Sequence, residues 1–401
     1  MTRIQADEKL LKRLGAYQKA SLIIGVLGIL ALIAGYFLDA KDFFPNYLIG
    51  WMFWVQVALG ALVILLIQNT VGGRWGLVIQ RVVEAATMTL PLLGVLFLVI
   101  ILGIPHLYEW SHAEALAHDE LLQHKAPYLN VPFFIVRGVL YFVLWSGMAW
   151  LLRKWSVALD ENPNDAATRK KLRNLSAPGI LLFGFTVTFA SVDWMMSLEP
   201  HWYSTIYGMM FGVGALTSGF AFSIVVFMGM IRYKPWSDII RPLDISDLGN
   251  WLLASIMLWA YMAFSQFLII WSANLPEETT WYIVRSTGGW QWVAAINIFL
   301  HFFLPFFFLL VRGTKKAPGR LQKIAWLVLI MRFVDLWWMI YPVFSQGKLS
   351  FSWISLAALI GIGGLFMAVF FHQLAQVSVP PLYDSRLAVT PTSEEAHGHV
   401  S

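Results

Sequence analysis

The chain has 401 residues, 58% of them hydrophobic and 13% charged, with a mean hydropathy of +0.66. Soluble domains carry roughly 25% charged residues, so this composition indicates an integral membrane protein. The 28 Lys and Arg against 23 Asp and Glu leave +5, a surplus that sits in loops beside apolar runs, where it sets topology and meets anionic lipid; it is no nucleic-acid signal. Cys is absent, which excludes disulfides, thiolate metal sites, iron-sulfur clusters and the C-x-x-C-H attachment of c-type haem. Any redox centre served by the chain is a diffusible molecule or belongs to a partner.

In chain order, residues 1–20 carry five positive charges ahead of an apolar run that lacks a small-residue cleavage site. A retained first helix is expected rather than a signal peptide. Ten runs reach the length of about 20 apolar residues that a span needs: 18–38, 46–68, 82–104, 132–152, 178–197, 203–231, 248–272, 290–312, 321–343 and 351–373. The expected fold is an all-α integral membrane protein of ten transmembrane helices. Its organisation is a cytoplasmic segment 1–17, a membrane domain 18–377, and a cytoplasmic tail 378–401 that is extended over a partner or disordered. Taking alternate loops together, 22 of the 28 Lys and Arg fall on one side and 4 on the other, with Arg137 and Arg332 inside spans. That asymmetry predicts that both termini are cytoplasmic. Trp51, Trp54, Trp150, Trp155, Trp281, Trp290 and Trp292 lie near span ends and are read as an aromatic belt.

The stretch 105–131 is the least apolar connection. Its middle, 111–124, reads as one short amphipathic helix ended by Pro127. His106, His112, His118 and His124 invite a metal reading, but a spacing of six sends successive side chains to different helix faces. The alternative is an external loop packed against a partner.

Charges inside the spans carry the functional signal. An ionised group at the bilayer centre costs from about 3 to more than 10 kcal/mol, so such groups usually face a protein interior where charge or protons move. Arg332 and Asp335, at i and i+3 in the middle of 321–343, are expected to form a buried ion pair. Asp193 lies near the outer end of span five, and Arg137 at matched depth in span four is its expected partner. Glu199 and His201 flank Pro200, which reads as the start of span six, where both would cap or anchor. Glu84, with Thr87 on the same face, and His372 lie toward the cytoplasmic side, either as functional groups or snorkelling to headgroups. His301 shares a face with Asn297, with Tyr261, Ser265 and Gln266 of span seven at similar height; it is a proton-path group, half of a haem site that lacks an opposed partner, or helix glue. By depth, Glu84 and His372 lie inside, Arg332, Asp335 and His301 centrally, and Asp193, Arg137 and His201 outside. These eight residues are the proton-path candidates.

The strings VDWMMSLEPHWYSTIYG (192–208), LGNWLLASIMLWAYMAFSQFLIIWSANLPEETTWYIVR (248–285) and HFFLPFFFLL (301–310) resemble the smaller ten-helix (ActF-type) membrane subunit of bacterial alternative complex III. That complex is a quinol:cytochrome c or high-potential iron-sulfur protein oxidoreductase, and its membrane subunits are similar to the NrfD-type anchors of polysulfide reductase. The resemblance implies two four-helix bundles, spans 2–5 and 6–9, flanked by the first and last helices. It also implies a bacterial inner-membrane assembly with a sister NrfD-like subunit, multihaem c-type cytochromes and an iron-sulfur protein, with room for a terminal oxidase. Haem and iron-sulfur would lie on those partners, while this chain would contribute a proton path, brace the complex, or place a quinone or quinol. A secondary transporter with midplane charges is the alternative; Pro91 and Pro305, in spans three and eight, are its sequence support.

Overall fold

The computed structural model describes residues 8–377, 380–381 and 384–387. Among them the protein is all helical with no strands, and ten helices are long and apolar enough to span a membrane. These are α1 (Glu8–Leu38), α2 (Ala40–Val71), α3 (Arg74–Leu102), α4 (Val131–Glu161), α5 (Ala166–Leu198), α6 (Ile206–Met230), α7 (Pro242–Ala273), α8 (Trp290–Leu310), α9 (Pro318–Val343) and α10 (Trp353–Ala375). The chain is a multi-pass membrane protein of the architecture expected: α2–α5 form one bundle, α6–α9 the other, and α1 and α10 pack together at the side. The face carrying the start of α1 and the end of α10 is called the amino-terminal face below.

Several helices start earlier than hydropathy predicts. α1 begins at Glu8, α3 at Arg74 and α5 at Ala166, because nothing in their polar lead-in sequences breaks the helix and long basic side chains can stay wet while their stems pack. Caps mark the true starts: Asp39 accepts from the amides of Lys41 and Asp42 at 3.1 Å, and Asp165 accepts from Ala167 at 2.9 Å and Thr168 at 3.1 Å. Pro200, in contrast, does not open α6. Residues 199–205 form turns, and the helix starts at Ile206. The predicted single helix over 111–124 is two, Ala113–His118 and Glu120–Lys125, because Asp119 leaves the helix and caps the second one. Residues 1–7 and, within the expected tail, 378–379, 382–383 and 388–401 lie outside the described residues. Within that tail Asp384 pairs with Arg386 at 2.6 Å, and Arg74 donates to the Arg386 carbonyl.

Two interruptions shape the spans. α3 relaxes into a turn at Met88–Thr89 just before Pro91, and α8 is π-helical over Asn297–Phe303 just before Pro305. A proline lacks the amide that the preceding turn would bond, so the ladder before it must rearrange.

Small residues let the backbones meet. A Cβ added to Gly60 of α2 would lie 1.9 Å from the Ala215 carbonyl oxygen of α6, so only glycine permits that crossing. On the outer seam, a Cβ on Gly28 of α1 would fall 2.3 Å from Gly361 Cα of α10. α2 is the hub of the molecule, buried on all sides. Trp51, Trp281 and Trp290 are fully buried rather than in an aromatic belt, whereas Trp150 and Trp292 do face outward. Trp51 packs edge-on to Trp194 at 4.9 Å, inside a cluster with Phe97, Phe142 and Trp145.

Gly28→Leu is expected to cost about 1–3 kcal/mol by overpacking the α1–α10 seam, read as a lower unfolding midpoint in detergent, while Gly15→Leu, at a position with no atom near its Cβ, leaves the midpoint unchanged. A second expectation concerns pH. Hydrogen bonds from His201 and from the Leu122 amide hold the Asp119 carboxyl below its ordinary 3.8. The stabilisation is therefore present above about pH 4 and is lost as pH falls through the lowered value. The protection of amides over 113–125, measured relative to the intrinsic exchange rate at each pH, should be high at neutral pH and low in acid, and low at both in Asp119→Ala.

Candidate functional site

The centre of the molecule is organised by Arg332 of α9. Its Nη1 donates to Asp335 Oδ2 at 2.6 Å, one turn along the same helix, and its Nη2 donates to Gln56 Oε1 of α2 at 2.7 Å. The guanidinium fits because Gly214 of α6 faces it; a Cβ there would lie 2.2 Å from Nη2. Asp335 accepts a further hydrogen bond from Asn297 Nδ2 at 2.6 Å, in the π-helical part of α8. His301, in the same stretch, is fully buried with its ring 4.0 Å from the Trp259 ring. The pair is 1% and 3% exposed, so the predicted buried ion pair is present, reinforced by two amides from different bundles. Some buried polar atoms here have no partner among the described residues: Arg332 Nε, Gln56 Nε2, Asn297 Oδ1 and both ring nitrogens of His301.

Asp335 and Asn297 also line a cavity of about 400 Å³ between α6, α7, α8, α9 and the short helix Pro276–Arg285. Trp259, Trp281 and Trp338 form much of its wall, and Gln266, Tyr282 and Arg285 its outer polar end. Gln266 Oε1 accepts from Ser204 at 3.0 Å and its amide reaches Tyr282 at 3.3 Å. Burial pushes the Tyr282 hydroxyl up to about 12. Arg285, counted from sequence as a loop charge, is buried; its Nη2 donates to Glu199 Oε2 at 2.5 Å and to the Met339 carbonyl at 2.7 Å, and its guanidinium stacks on Trp281 at 3.9 Å. Glu199 thus completes an ion pair instead of capping α6. Tyr261 of α7 points outward, away from this cavity.

A second network lies in the first bundle, near the face opposite the amino-terminal face, as the Arg285–Glu199 pair does. Arg137 of α4 grips Asp193 of α5 with two bonds, Nε to Oδ2 at 2.9 Å and Nη2 to Oδ1 at 2.8 Å, and Tyr141 donates to Oδ2 at 2.8 Å. Arg137 also donates to the Tyr128 carbonyl at 3.0 Å and sits between the rings of Tyr128 and Phe133 at 3.8 and 4.2 Å. The expected Arg137–Asp193 partnership is present, fully buried and fully bonded.

The third network lies toward the amino-terminal face. Glu84 accepts from Arg81 Nη1 at 2.6 Å and Gln80 Nε2 at 2.9 Å; both donors also reach Ser156 of α4, and Arg81 bonds Asp160. Glu84 is therefore paired inside the protein and does not snorkel. Thr87 turns its hydroxyl to the Glu84 carbonyl at 2.8 Å.

The eight sequence candidates therefore do not form one ladder. Arg332, Asp335 and His301 come together, Arg137 and Asp193 come together, and Glu84 belongs to a third cluster. His372 is exposed beside Gln18 and Gln376, away from Glu84, and His201 is exposed against Asp119 at 2.5 Å. Sequence reading missed Gln56, Tyr141, Arg81 with Asp160, and the Glu199–Arg285 pair. Gln56 was visible as an amide at the middle of an apolar span, Tyr141 as i+4 from Arg137, and Arg81 as i−3 from Glu84; nothing local signalled Glu199 with Arg285. No protein-family model matches the chain, and no curated protein matches it.

Arg332→Leu leaves Asp335 as an uncompensated buried charge and is expected to cost about 3–5 kcal/mol, whereas Arg332→Leu/Asp335→Leu is much milder. The check is the yield and unfolding midpoint of single and double variants, and a single variant as stable as the double would refute the pairing energetics.

Proposed function

We propose that the chain is a cofactor-free membrane subunit of a respiratory quinol:electron-acceptor oxidoreductase in a bacterial inner membrane, with both termini cytoplasmic, bracing the assembly and carrying protons through its second bundle. Three strings, 192–208, 248–285 and 301–310, support the assembly by their resemblance to alternative complex III subunits. The proton role is carried by one observation: the midplane carboxylate of Asp335 lines an aromatic cavity whose outer end is closed by the Arg285–Glu199 pair. Buried polar atoms without partners cost about 1–3 kcal/mol each unless water meets them. Water bound by His301, Gln56 and Asn297 would link the carboxylate to further proton acceptors. In this reading Asp335 exchanges the proton, Arg332 lowers the cost of its charged state, and Asn297 fixes its orientation. Asp193, with both oxygens held by Arg137 and one also by Tyr141, suits a fixed countercharge better than a carrier.

The same cavity, lined by indole rings with Gln266, Tyr282 and Asn297 at its polar positions, has the size and amphipathic wall that a quinol ring requires. Haem and iron-sulfur centres would reside on partner subunits. The transporter alternative rests on the interruptions of α3 and α8, which fall five spans apart, at the third helix of each five-helix half; the three long strings that resemble the respiratory subunit outweigh that single match.

Gentle purification should bring haem-bearing partners with the chain; a chain that purifies alone from its native membrane would exclude the assembly. Within that assembly, Asp335→Asn is expected to keep its partners and slow quinol-driven proton release about tenfold or more. Asp193→Asn should instead alter stability with little effect on coupling. The reverse pattern, measured as protons released per quinol in vesicles, would move the path to the first bundle.

A further inference from the structure

A separate groove of about 700 Å³ opens between α1, α6, α9 and α10, with Phe53 and Trp54 of α2 at its floor. Its walls are apolar for most of their length. Polar groups gather at the amino-terminal face, where Arg13, Tyr17, Tyr233 and Gln322 stand. Gln322 donates to the Val225 carbonyl at 2.9 Å, so its stem and amide close the groove between α6 and α9. Arg13 is exposed, with its guanidinium 5.5 Å from the centre of the Tyr233 ring. Among the described residues no Asp or Glu lines the groove and none pairs with Arg13. Arg232, after α6, and Arg320 and Lys323, in the first turns of α9, are exposed at the same ends of their helices.

On its α6 and α9 walls the groove has the length of about one leaflet. Along α9 it runs from Gln322 to Phe333, about 16 Å at 1.5 Å per residue, against about 15 Å for half of the hydrocarbon core. On α9 it ends at Phe333, whereas on α10 it continues to Leu356, three residues into that helix from the opposite face. Acyl chains under a negatively charged headgroup match the apolar wall and the uncompensated positive rim together. We propose that this groove is a binding site for one anionic glycerophospholipid of the leaflet at the amino-terminal face, with its phosphate at Arg13 and its acyl chains between α1, α6 and α9. The lipid then fills the gap that remains because α1 is joined to the rest of the protein chiefly through its glycine seam with α10.

The test uses the full chain in mild detergent, titrated with phosphatidylglycerol or phosphatidylcholine whose acyl chains carry bromine, and reads tryptophan quenching. Trp54 and Trp326 line the groove, and the part of the signal lost in Trp326→Phe reports on it. Phosphatidylglycerol should quench that part at concentrations about fivefold lower than phosphatidylcholine, the preference expected from one basic side chain at the membrane surface. Arg13→Gln should erase the preference and Arg13→Lys should keep it. Gly229 lines the groove and a Cβ there meets no atom within 4 Å, so Gly229→Phe should fold normally yet remove the Trp326 signal for both lipids. Equal quenching by the two lipids, a preference that survives Arg13→Gln, or undiminished quenching in Gly229→Phe would overturn the proposal. Loss of a copurifying protein from Gly229→Phe, with lipid quenching unchanged, would also overturn it and assign the groove to a partner.

Discussion

A charge taken into hydrocarbon has no water to answer it, so every ionised group in the spans must be met by the protein itself. Arg332 is where this constraint organises the whole molecule. Its guanidinium is answered from three sides: Asp335 on its own helix, Gln56 on α2, and the close glycine surface of α6 at Gly214. Two of those helices belong to the second bundle and one to the first, so a single side chain links the halves at mid-depth. Separating the bundles would strip one hydrogen bond from a buried cation, a loss costlier than that of a neutral pair.

That arrangement depends on backbone proximity. Gln56 lies one turn before Gly60, the position at which α2 and α6 cross with no room for a side chain. Substituting anything larger there would push α2 outward and carry the Gln56 amide away from Arg332. The small residues and the polar network are therefore one device: glycine contact sets the interhelical spacing, and the spacing sets the hydrogen bonds. The same logic runs in reverse at the periphery, where α1 touches α10 through glycines but leaves an apolar groove against α6 and α9.

The number of spans and the pairs Arg332–Asp335 and Arg137–Asp193 were legible in the residues, while the two bundles were expected only from the resemblance. Depth along a helix follows from counting residues, since each adds about 1.5 Å, and both pairs could be found by matching depth or by i, i+3 spacing. Rotation about the helix axis was not legible, because it depends on which neighbours a helix has. Hence Trp51 looked like a belt residue and lies in the core, and His372 looked like the companion of Glu84 and faces outward. Arg285 and Glu199 escaped for a different reason. Both sit in connections between spans, and hydropathy treats connections as solvated, whereas here the short helix Pro276–Arg285 folds back and buries its last residue.

The two deep ion pairs differ in what surrounds them, and that difference bears on function. Around Asp193 both carboxylate oxygens are bonded, and the cation is bidentate and stacked between two rings. Around Asp335 a cavity reaches the carboxylate, and the nearby imidazole, amide and guanidinium groups keep polar atoms unbonded. A fully bonded pair is held in one state, since moving its proton would break several bonds at once. A partly bonded pair beside a cavity can exchange partners at lower cost. The π-helical turn of α8 adds to this contrast, because it places both Asn297 and His301 on the buried side toward Arg332 and Asp335. At i, i+4 the two residues would share a face in a regular α-helix as well, so their spacing pairs them, and the irregular stretch before Pro305 is where that polar side of the central site lies.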